Sequence, residues 1–288
     1  MNLNINATIS SINNILQERK CGMRAEVIHN RETIEKYLRE NEALNVYCIG
    51  DLDRLFRPFT IWYGLRGENE KLRSLAMLYT GGEMPALMAY RAYEGEALTE
   101  LVCGISKILP AKFYSHLCET SEAALAKRFK LEPHGRHLKM YLNDPSKIRG
   151  KADSCVRRLC VADLENLLEL YRESYPGNWF DPATLATGEY FGAFAGGDIV
   201  CAAGVHVFSE KYGAAALGNI TTRPNYRGKG LAGMVTAALC RSLLKKTCLI
   251  GLNVDSKNEA AISCYRKLGF AVAGEYGEFM AKIGSAIS

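Results

Sequence analysis

The second half of the chain alternates between short apolar runs and stretches in which apolar residues recur with helical spacing. Apolar residues follow the i, i+3, i+4, i+7 spacing of one helix face from Leu164 to Tyr171, which predicts a helix that starts near Asp163. Runs rich in apolar and β-branched residues predict five strands, over residues 155–161, 189–195, 198–208, 213–222 and 248–254. The turn Gly196-Gly197-Asp198 between two of these runs is typical of a β-hairpin.

Three more helices and two strands complete this half. A short helix is predicted at Asp181-Pro182, and a longer one carries apolar residues on one face from Leu231 to Leu243. The last helix is predicted to begin at Ser256-x-x-Glu259, which has the form of a capping box, and to end at Gly269. Two closing strands are predicted over residues 270–276 and 278–283. The order β-α-α-β-β-β-loop-α-β-α-β-β predicts an α/β fold with a mixed sheet.

The first half contains similar but less regular signals. Strands are predicted over residues 60–65, 73–80 and 85–92. Residues 111–143 and 247–283 both run strand, helix, turn, strand, and Ser121-Glu-Ala-Ala in one stands beside Asn258-Glu-Ala-Ala in the other. We interpret this as a weak internal repeat, although two alanine-rich helices can also match by chance.

The length of 288 residues favours two domains. The polar stretch 143–150 contains proline and glycine and is the predicted linker. We therefore expect an N-terminal extension over residues 1–22, a first domain over 23–148 and a second domain over 149–288. The extension could form an amphipathic helix, and Met23 could equally be the natural start.

Charge and composition are those of an ordinary globular protein. Lys and Arg number 36 against 31 Asp and Glu, and the resulting +5 is too small to indicate a nucleic-acid or membrane partner. The ten cysteines are scattered without a CxxC pair, which favours reduced thiols in the cytoplasm. The pair His134-x-x-His137 has no further ligand at zinc spacing, so we expect no metal.

The loop Arg223–Gly230 leaves a predicted strand and runs directly into a helix. Its Arg227-Gly228-Lys229-Gly230 portion combines glycines, positive charge and the unpaired N–H groups of a helix start, which together suit a phosphate. A plain strand-to-helix turn would also use glycines here. The loop contains neither GxGxxG nor GxxxxGK[ST], so it is neither a dinucleotide fingerprint nor a P-loop.

The same loop resembles motif A of the GCN5-related N-acetyltransferase (GNAT) superfamily, Arg/Gln-x-x-Gly-x-Gly/Ala, through Arg227, Gly230 and Ala232. The stretch from Asn258 to Phe270 looks like motif B of that family, and the resemblance covers about residues 155–283. It implies an acyl-CoA N-acyltransferase (GNAT) fold, in tandem, with a degenerate first half. Residues 90–104 stand where the first half would carry motif A and lack its pattern.

The resemblance also implies roles for individual residues. The cofactor-binding residues would be those of the strand end, the loop, the helix start and motif B: Ile220, Thr221, Thr222, Arg227, Gly228, Lys229, Gly230, Leu231, Ala232 and Asn258. Asn258 would bind the pantetheine arm of acetyl-CoA, and Tyr265 would protonate the leaving thiolate. These two residues are seven positions apart, which places them on nearly the same helix face about 10 Å apart. Tyr265 could instead be a packed core residue.

The sequence predicts the general base and the acceptor site less sharply. Many relatives carry a glutamate on the strand before motif A, but this strand has no acid, so His206 and Glu210 are the candidates, with Asn219 to orient a water. The loop 175–181 should recognise the acceptor through Tyr175, Trp179 and Phe180, although the latter two could equally be packing anchors.

The predicted activity is transfer of an acetyl group from acetyl-CoA to a primary amine of a small molecule or an amino acid. Two alternatives stay open, a non-catalytic acyl-CoA sensor and an acyltransferase acting on a protein N-terminus or an aminoacyl-tRNA. A nucleophilic cysteine enzyme, with Cys264 as the candidate, is disfavoured by the family resemblance. The sequence does not name the acceptor, the acyl length or the oligomeric state.

Overall fold

The computed structural model describes residues 24–67, 69–90, 95–148 and 154–284, and the predicted N-terminal extension lies outside them. The elements up to the linker are β1 (Arg24–Val27), α1 (Arg31–Arg39), α2 (Val46–Gly50), β2 (Thr60–Arg66), β3 (Leu72–Tyr79), β4 (Ala86–Ala89), α3 (Gly95–Ile105), β5 (Lys112–Leu117), α4 (Glu119–Leu125) and β6 (Phe129–Leu142). Those after it are β7 (Val156–Arg158), α5 (Leu164–Ser174), β8 (Phe191–Ala195), β9 (Asp198–Ser209), β10 (Ala214–Thr222), α6 (Leu231–Leu243), β11 (Leu249–Asp255), α7 (Glu259–Lys267) and β12 (Phe270–Ile283). Short 3₁₀ turns lie at Arg57–Phe59, Pro145–Lys147, Val161–Asp163, Pro182–Thr187 and Pro224–Tyr226.

The chain divides into two compact units, and each unit is built from separate segments of the chain. A single boundary near residue 148 therefore does not separate them. Among the described residues, the first unit consists of residues 24–41, Arg54–His137 and the chain from Gly274 onward. The second unit consists of Glu42–Asp53 and Leu138–Ala273. The two longest strands, β6 and β12, each contribute residues to both units.

The sheet of the first unit has the strand order β1-β2-β3-β4-β5-β12. Neighbouring strands are antiparallel except β4 and β5, which are parallel and are connected through α3. A cluster of buried side chains that includes Tyr63, Leu101, Phe113 and Phe279 fills this unit. Burial of each large apolar side chain contributes about 1.5–3 kcal/mol, so β12 adds to the core of the unit as well as to its sheet.

The sheet of the second unit has the order β6-β11-β10-β9-β8-β7. Here β10 and β11 are the parallel pair, connected through α6, so the strand-helix-strand crossover of the first unit occurs again. The predicted face of α5 is buried through Leu167, Leu170 and Tyr171. These side chains pack into the core of this unit.

Three local predictions are wrong. The two predicted closing strands form one strand, β12, because Gly277 is extended and pairs with Leu117 instead of making a turn. The last helix begins at Glu259 with Asn258 as its N-cap, so Ser256 does not cap it. The predicted strand 155–161 shrinks to β7, and in the predicted strand 85–92 the described residues form only β4, with residues 91 and 92 outside the described residues.

No helix among the described residues is long and apolar enough to cross a membrane. In the same residues, no group of three or more His, Cys, Asp and Glu side chains could hold a metal ion. His137 of the predicted histidine pair lies beside Glu278, with 3.6 Å between its Nδ1 and Oε1 of the carboxylate.

Candidate active site

Strand β10 leaves its parallel neighbour part way along its length. The described pairing with β11 ends at Leu217↔Leu252, whereas β10 stays paired with β9 as far as Thr222. A β-bulge shifts the register with β9 between Gly218 and Thr221. Residues 218–222 therefore border the place where β10 and β11 separate, and they include three of the predicted cofactor-binding residues, Ile220, Thr221 and Thr222.

Asn219 holds the bulge in place. It is buried and has a φ of 54°, a left-handed conformation that asparagine tolerates better than most residues. Its Nδ2 donates to the Tyr190 hydroxyl at 3.2 Å, and its carbonyl accepts a hydrogen bond from the Tyr171 hydroxyl at 3.1 Å. The side chain predicted to orient a water thus forms part of a buried network that fixes the backbone of β10.

The side chains at the end of β10 are turned towards the protein. The Thr222 hydroxyl donates to Sγ of Cys201 at 3.1 Å, and the Thr221 hydroxyl donates to the Ser174 carbonyl at 3.4 Å. Burial raises the pKa of Cys201 to about 12, so this sulfur is a neutral thiol. Binding by these positions would therefore use the strand backbone.

The loop before α6 presents a row of N–H groups without acceptors. Within the described residues, the backbone N–H groups from Gly228 to Gly233 make no hydrogen bond. Gly228 and Gly230 have φ of 77° and 78°, and a Cβ at either position would meet nothing within 4 Å. The glycines are thus needed for the backbone conformation, and the space in front of the N–H groups is open.

This arrangement suits a phosphate or pyrophosphate group. The N–H groups and the helix dipole favour an anion. Two cations flank the loop: Nε of Arg227 donates to the Thr222 carbonyl at 3.1 Å, and the Lys229 ammonium lies 4.9 Å from the centre of the Tyr226 ring. The bond from Arg227 also ties the loop to the end of β10, so the two predicted parts of the cofactor site are adjacent.

The predicted motif B residues lie on α7. Asn258 is its exposed N-cap, and Oδ1 accepts a hydrogen bond from the N–H of Ala261 at 3.1 Å. Tyr265 is buried beside Phe270, with 6.0 Å between ring centres. Burial raises the pKa of the Tyr265 phenol well above its usual value, so the phenol keeps its proton at neutral pH. The neighbouring Cys264 has its thiol pKa raised by burial, which makes it a poor nucleophile.

The two candidate bases lie in different places. His206 is half-buried on β9 over Gly218, and burial lowers its pKa to about 4. Glu210 follows the other end of β9, where its carboxylate is 3.3 Å from the Lys246 ammonium. Because Ala214 pairs with Ser209 and Thr222 with Cys201, Glu210 lies about 25 Å from Thr222 along the strand. The structure thus brings His206 to the site and leaves Glu210 away from it.

The predicted acceptor loop divides into buried and exposed parts. Phe180 packs on Tyr171 and Tyr190, with ring centres 5.0 and 5.7 Å apart. Tyr175 and Trp179 are 44% and 58% exposed. Phe180 therefore fills the packing role that the sequence left open, and the other two rings are accessible to a ligand.

A segment of the first half of the chain completes this unit, and the sequence did not reveal it. Residues Glu42–Asp53 carry α2, which packs across β10. The Tyr47 hydroxyl donates to the carbonyl of Leu217 at 3.1 Å. The two residues are 170 positions apart, so no local pattern could predict this contact. The local signals for the helix itself are Asn45 and Asp51 at its two ends.

A cavity of about 660 Å³ borders α7. Its lining is formed by Leu138, Ser256, Glu259, Ile262, Ser263, Arg266 and Lys267. None of these lining residues is a predicted site residue, and the cavity plays no part in the site described above.

Comparison with known proteins agrees with the fold. The model of the acetyltransferase (GNAT) family matches residues 158–270. This match contains the bulge of β10, the glycine loop and motif B. No curated protein matches the sequence.

Several solved structures share the fold at low sequence identity. A GCN5-related N-acetyltransferase from Sphaerobacter thermophilus is 14% identical with a TM-score of 0.59, over 93% of this chain and 98% of that one. A GNAT-family acetyltransferase from Colwellia psychrerythraea is 16% identical with a TM-score of 0.55, over 90% and 99%. A tandem GNAT protein from the clavulanic acid biosynthesis pathway is 14% identical with a TM-score of 0.53, over 92% and 99%.

The predicted tandem arrangement is confirmed, since the first half also has a GNAT-like fold. The second half carries the family match and the candidate active site. Residues 158–270 form a GNAT acetyltransferase domain, and this domain makes the protein an acyltransferase.

Proposed function

We propose that the protein transfers the acetyl group of acetyl-CoA to a primary amine of a small molecule or an amino acid. The observation that carries this proposal is the row of N–H groups from Gly228 to Gly233, which lies beside the opening after Leu217 of β10. The loop suits a pyrophosphate, and the opening suits an extended arm whose amides pair with strand backbone. Cytoplasmic location is proposed with it, from the scattered cysteines.

The reaction would proceed by direct attack within a ternary complex. The acceptor nitrogen forms a bond to the thioester carbon, the bond from carbon to sulfur breaks, and the nitrogen loses a proton. Backbone N–H groups at residues 220–222 would stabilise the oxyanion of the intermediate. Tyr265 would give its phenolic proton to the leaving thiolate, for which a phenol protonated at neutral pH is suited.

Thermal-shift titration with acetyl-CoA, longer acyl-CoAs and free CoA tests the cofactor first. A ligand present at 100 times its Kd stabilises a protein by about 2.7 kcal/mol, which is easily measured. Saturable stabilisation by acetyl-CoA supports the proposal, and the absence of any shift contradicts it.

Release of the CoA thiol can then be followed with free amino acids, simple primary amines, peptides and aminoacyl-tRNA as acceptors. Turnover with small amines is the expected result. Turnover with only the peptides or the tRNA would favour the macromolecular alternative. Tight acetyl-CoA binding without turnover on any amine would favour a sensor.

A further inference from the structure

The helix α2 lies directly against the strands that form the candidate site. A Cβ added to Gly251 of β11 would lie 2.8 Å from Cγ2 of Val46, and a Cβ on Gly50 would overlap Val207 of β9. Glycine thus allows close packing at both ends of the helix. α2 therefore crosses β10 from β11 to β9 within the second unit.

One side of α2 is turned towards the place where β10 and β11 separate. The Tyr47 hydroxyl bonds the carbonyl of Leu217, the last residue of β10 in the described pairing with β11. The Tyr47 ring centre is 6.5 Å from that of His206, which overlies Gly218. Tyr47 thus marks the side of the helix that faces the site.

Asp51 lies on this same side. It follows Tyr47 by four residues, and its N–H donates to the Tyr47 carbonyl at 2.9 Å, as in a regular helical turn. Its side chain is buried, with 5% of the residue exposed. The influences on its carboxyl group are burial and the charge of Lys139, and no hydrogen bond is among them.

The charged and titratable groups around Asp51 come from three elements. Lys139 of β6 is buried, and its ammonium lies 5.2 Å from the Tyr47 ring centre. His206 faces the helix from β9, and Tyr47 belongs to α2 itself. Burial raises the pKa of Asp51 to about 7, and the positive charge of Lys139 partly opposes this rise.

Burying a carboxyl group without a hydrogen bond costs stability, so packing does not explain its presence. Strongly perturbed carboxyl groups are concentrated at functional sites. A base works best when its pKa is close to the working pH, and the burial-lowered pKa of His206 near 4 makes that side chain a weaker base than Asp51.

We propose that Asp51, supplied by the first half of the chain, is the general base of the acetyl transfer. This inference rests on the proposed function. The carboxylate of Asp51 takes the proton that the acceptor nitrogen loses as its bond to the thioester carbon forms. The phenolic proton of Tyr265 goes to the departing sulfur, so each proton has one donor and one acceptor.

The test compares Asp51→Asn with the wild type in three measurements. With the best amine from the panel of amino acids and simple amines, kcat/KM at pH 7 should fall by about 100-fold or more. The fall of kcat/KM towards low pH, which protonation of Asp51 causes in the wild type, should disappear as well. This part of the pH profile is called the acidic limb below. The Kd for acetyl-CoA should stay within about twofold, because the cofactor contacts lie elsewhere.

Two further variants separate catalysis from damage to the fold. Asp53→Asn is the matched control, since Asp53 is on the same segment but accepts a hydrogen bond from the Ser209 hydroxyl at 2.5 Å, and it should keep the wild-type profile. Lys139→Met should move the acidic limb to higher pH, because the opposing positive charge is gone. A merely structural role of Asp51 would not produce that movement.

Three results would overturn the inference. One is an Asp51→Asn variant that keeps its acidic limb and a kcat/KM within about threefold of the wild type. Another is a loss confined to KM, which would make Asp51 a binding residue.

The third does not depend on the acceptor. If the wild type acetylates no amine, the proposed function fails separately, and ¹³C NMR titration of labelled aspartates, assigned with Asp51→Asn, still tests the carboxyl group. A midpoint below pH 5 for Asp51 excludes it as the base, whereas a midpoint near 7 supports the inference.

Discussion

Replacing Asp51 by asparagine should flatten the pH dependence of the protein's stability. Burial raises the pKa of this carboxyl group from 3.8 to about 7 in the folded state. Below pH 4 both the folded and the unfolded chain carry the proton. Between pH 4 and 7 the unfolded chain releases it while the folded chain keeps it, so the free energy of unfolding falls as the pH rises.

The size of this effect follows from the two pKa values. At about 1.36 kcal/mol for each pH unit between them, the wild type loses on the order of 4 kcal/mol relative to Asp51→Asn between pH 4 and pH 7. Above pH 7 the difference between the two proteins should become constant.

Urea unfolding followed by circular dichroism at pH 4.5, 5.5, 6.5 and 7.5 measures this difference. Asp53→Asn, at a half-buried and hydrogen-bonded position of the same segment, should follow the wild type at every pH. A free-energy difference between wild type and Asp51→Asn that is the same at all four pH values would refute the argument, because it would mean that the carboxyl group titrates normally.

Three other predictions concern the second unit. Tyr265→Phe should keep the acetyl-CoA Kd but lower kcat, since only the phenolic proton is lost; unchanged kcat would remove Tyr265 from the reaction. Asn219→Ala should lower the free energy of unfolding in urea by about 1–3 kcal/mol, because alanine tolerates the left-handed backbone poorly and cannot bond Tyr190. Asn219→Gly should recover the part of this loss that comes from the backbone conformation. Glu210→Gln should leave kcat/KM unchanged, because this exposed carboxylate pairs with Lys246 away from the site; a large loss of activity would reverse that assignment.

Local patterns were sufficient for the elements whose determinants lie close together in the chain. The helix face of α5, the hairpin at Gly196-Gly197 and the glycine loop before α6 each depend on residues within a few positions of one another. Their hydrophobic spacing and backbone conformations are local properties. The GNAT fold could therefore be predicted, and it is confirmed by the family match and the structural neighbours.

The composition of each unit depends on contacts that no local pattern contains. Strand β12 looks like two strands in the sequence because Gly277 resembles a turn residue, yet its pairing with Leu117 keeps it extended. The packing of α2 on β10 joins residues about 170 positions apart. The sequence analysis named His206 and Glu210 as candidate bases because both lie in the second half, next to the motifs. Asp51 lies in the first half, and only the fold brings it near them.

Titration calorimetry of acetyl-CoA into the wild type, Gly230→Glu and Gly196→Glu tests the central claim most directly. Gly230 and Gly196 both have positive φ and open space around the Cβ position, so the two variants introduce the same strain and charge at different places. The account predicts binding by the wild type and by Gly196→Glu, and loss of binding in Gly230→Glu, where the new carboxylate would face the pyrophosphate. Normal binding by Gly230→Glu, or no binding by the wild type, would contradict the placement of the cofactor at the start of α6.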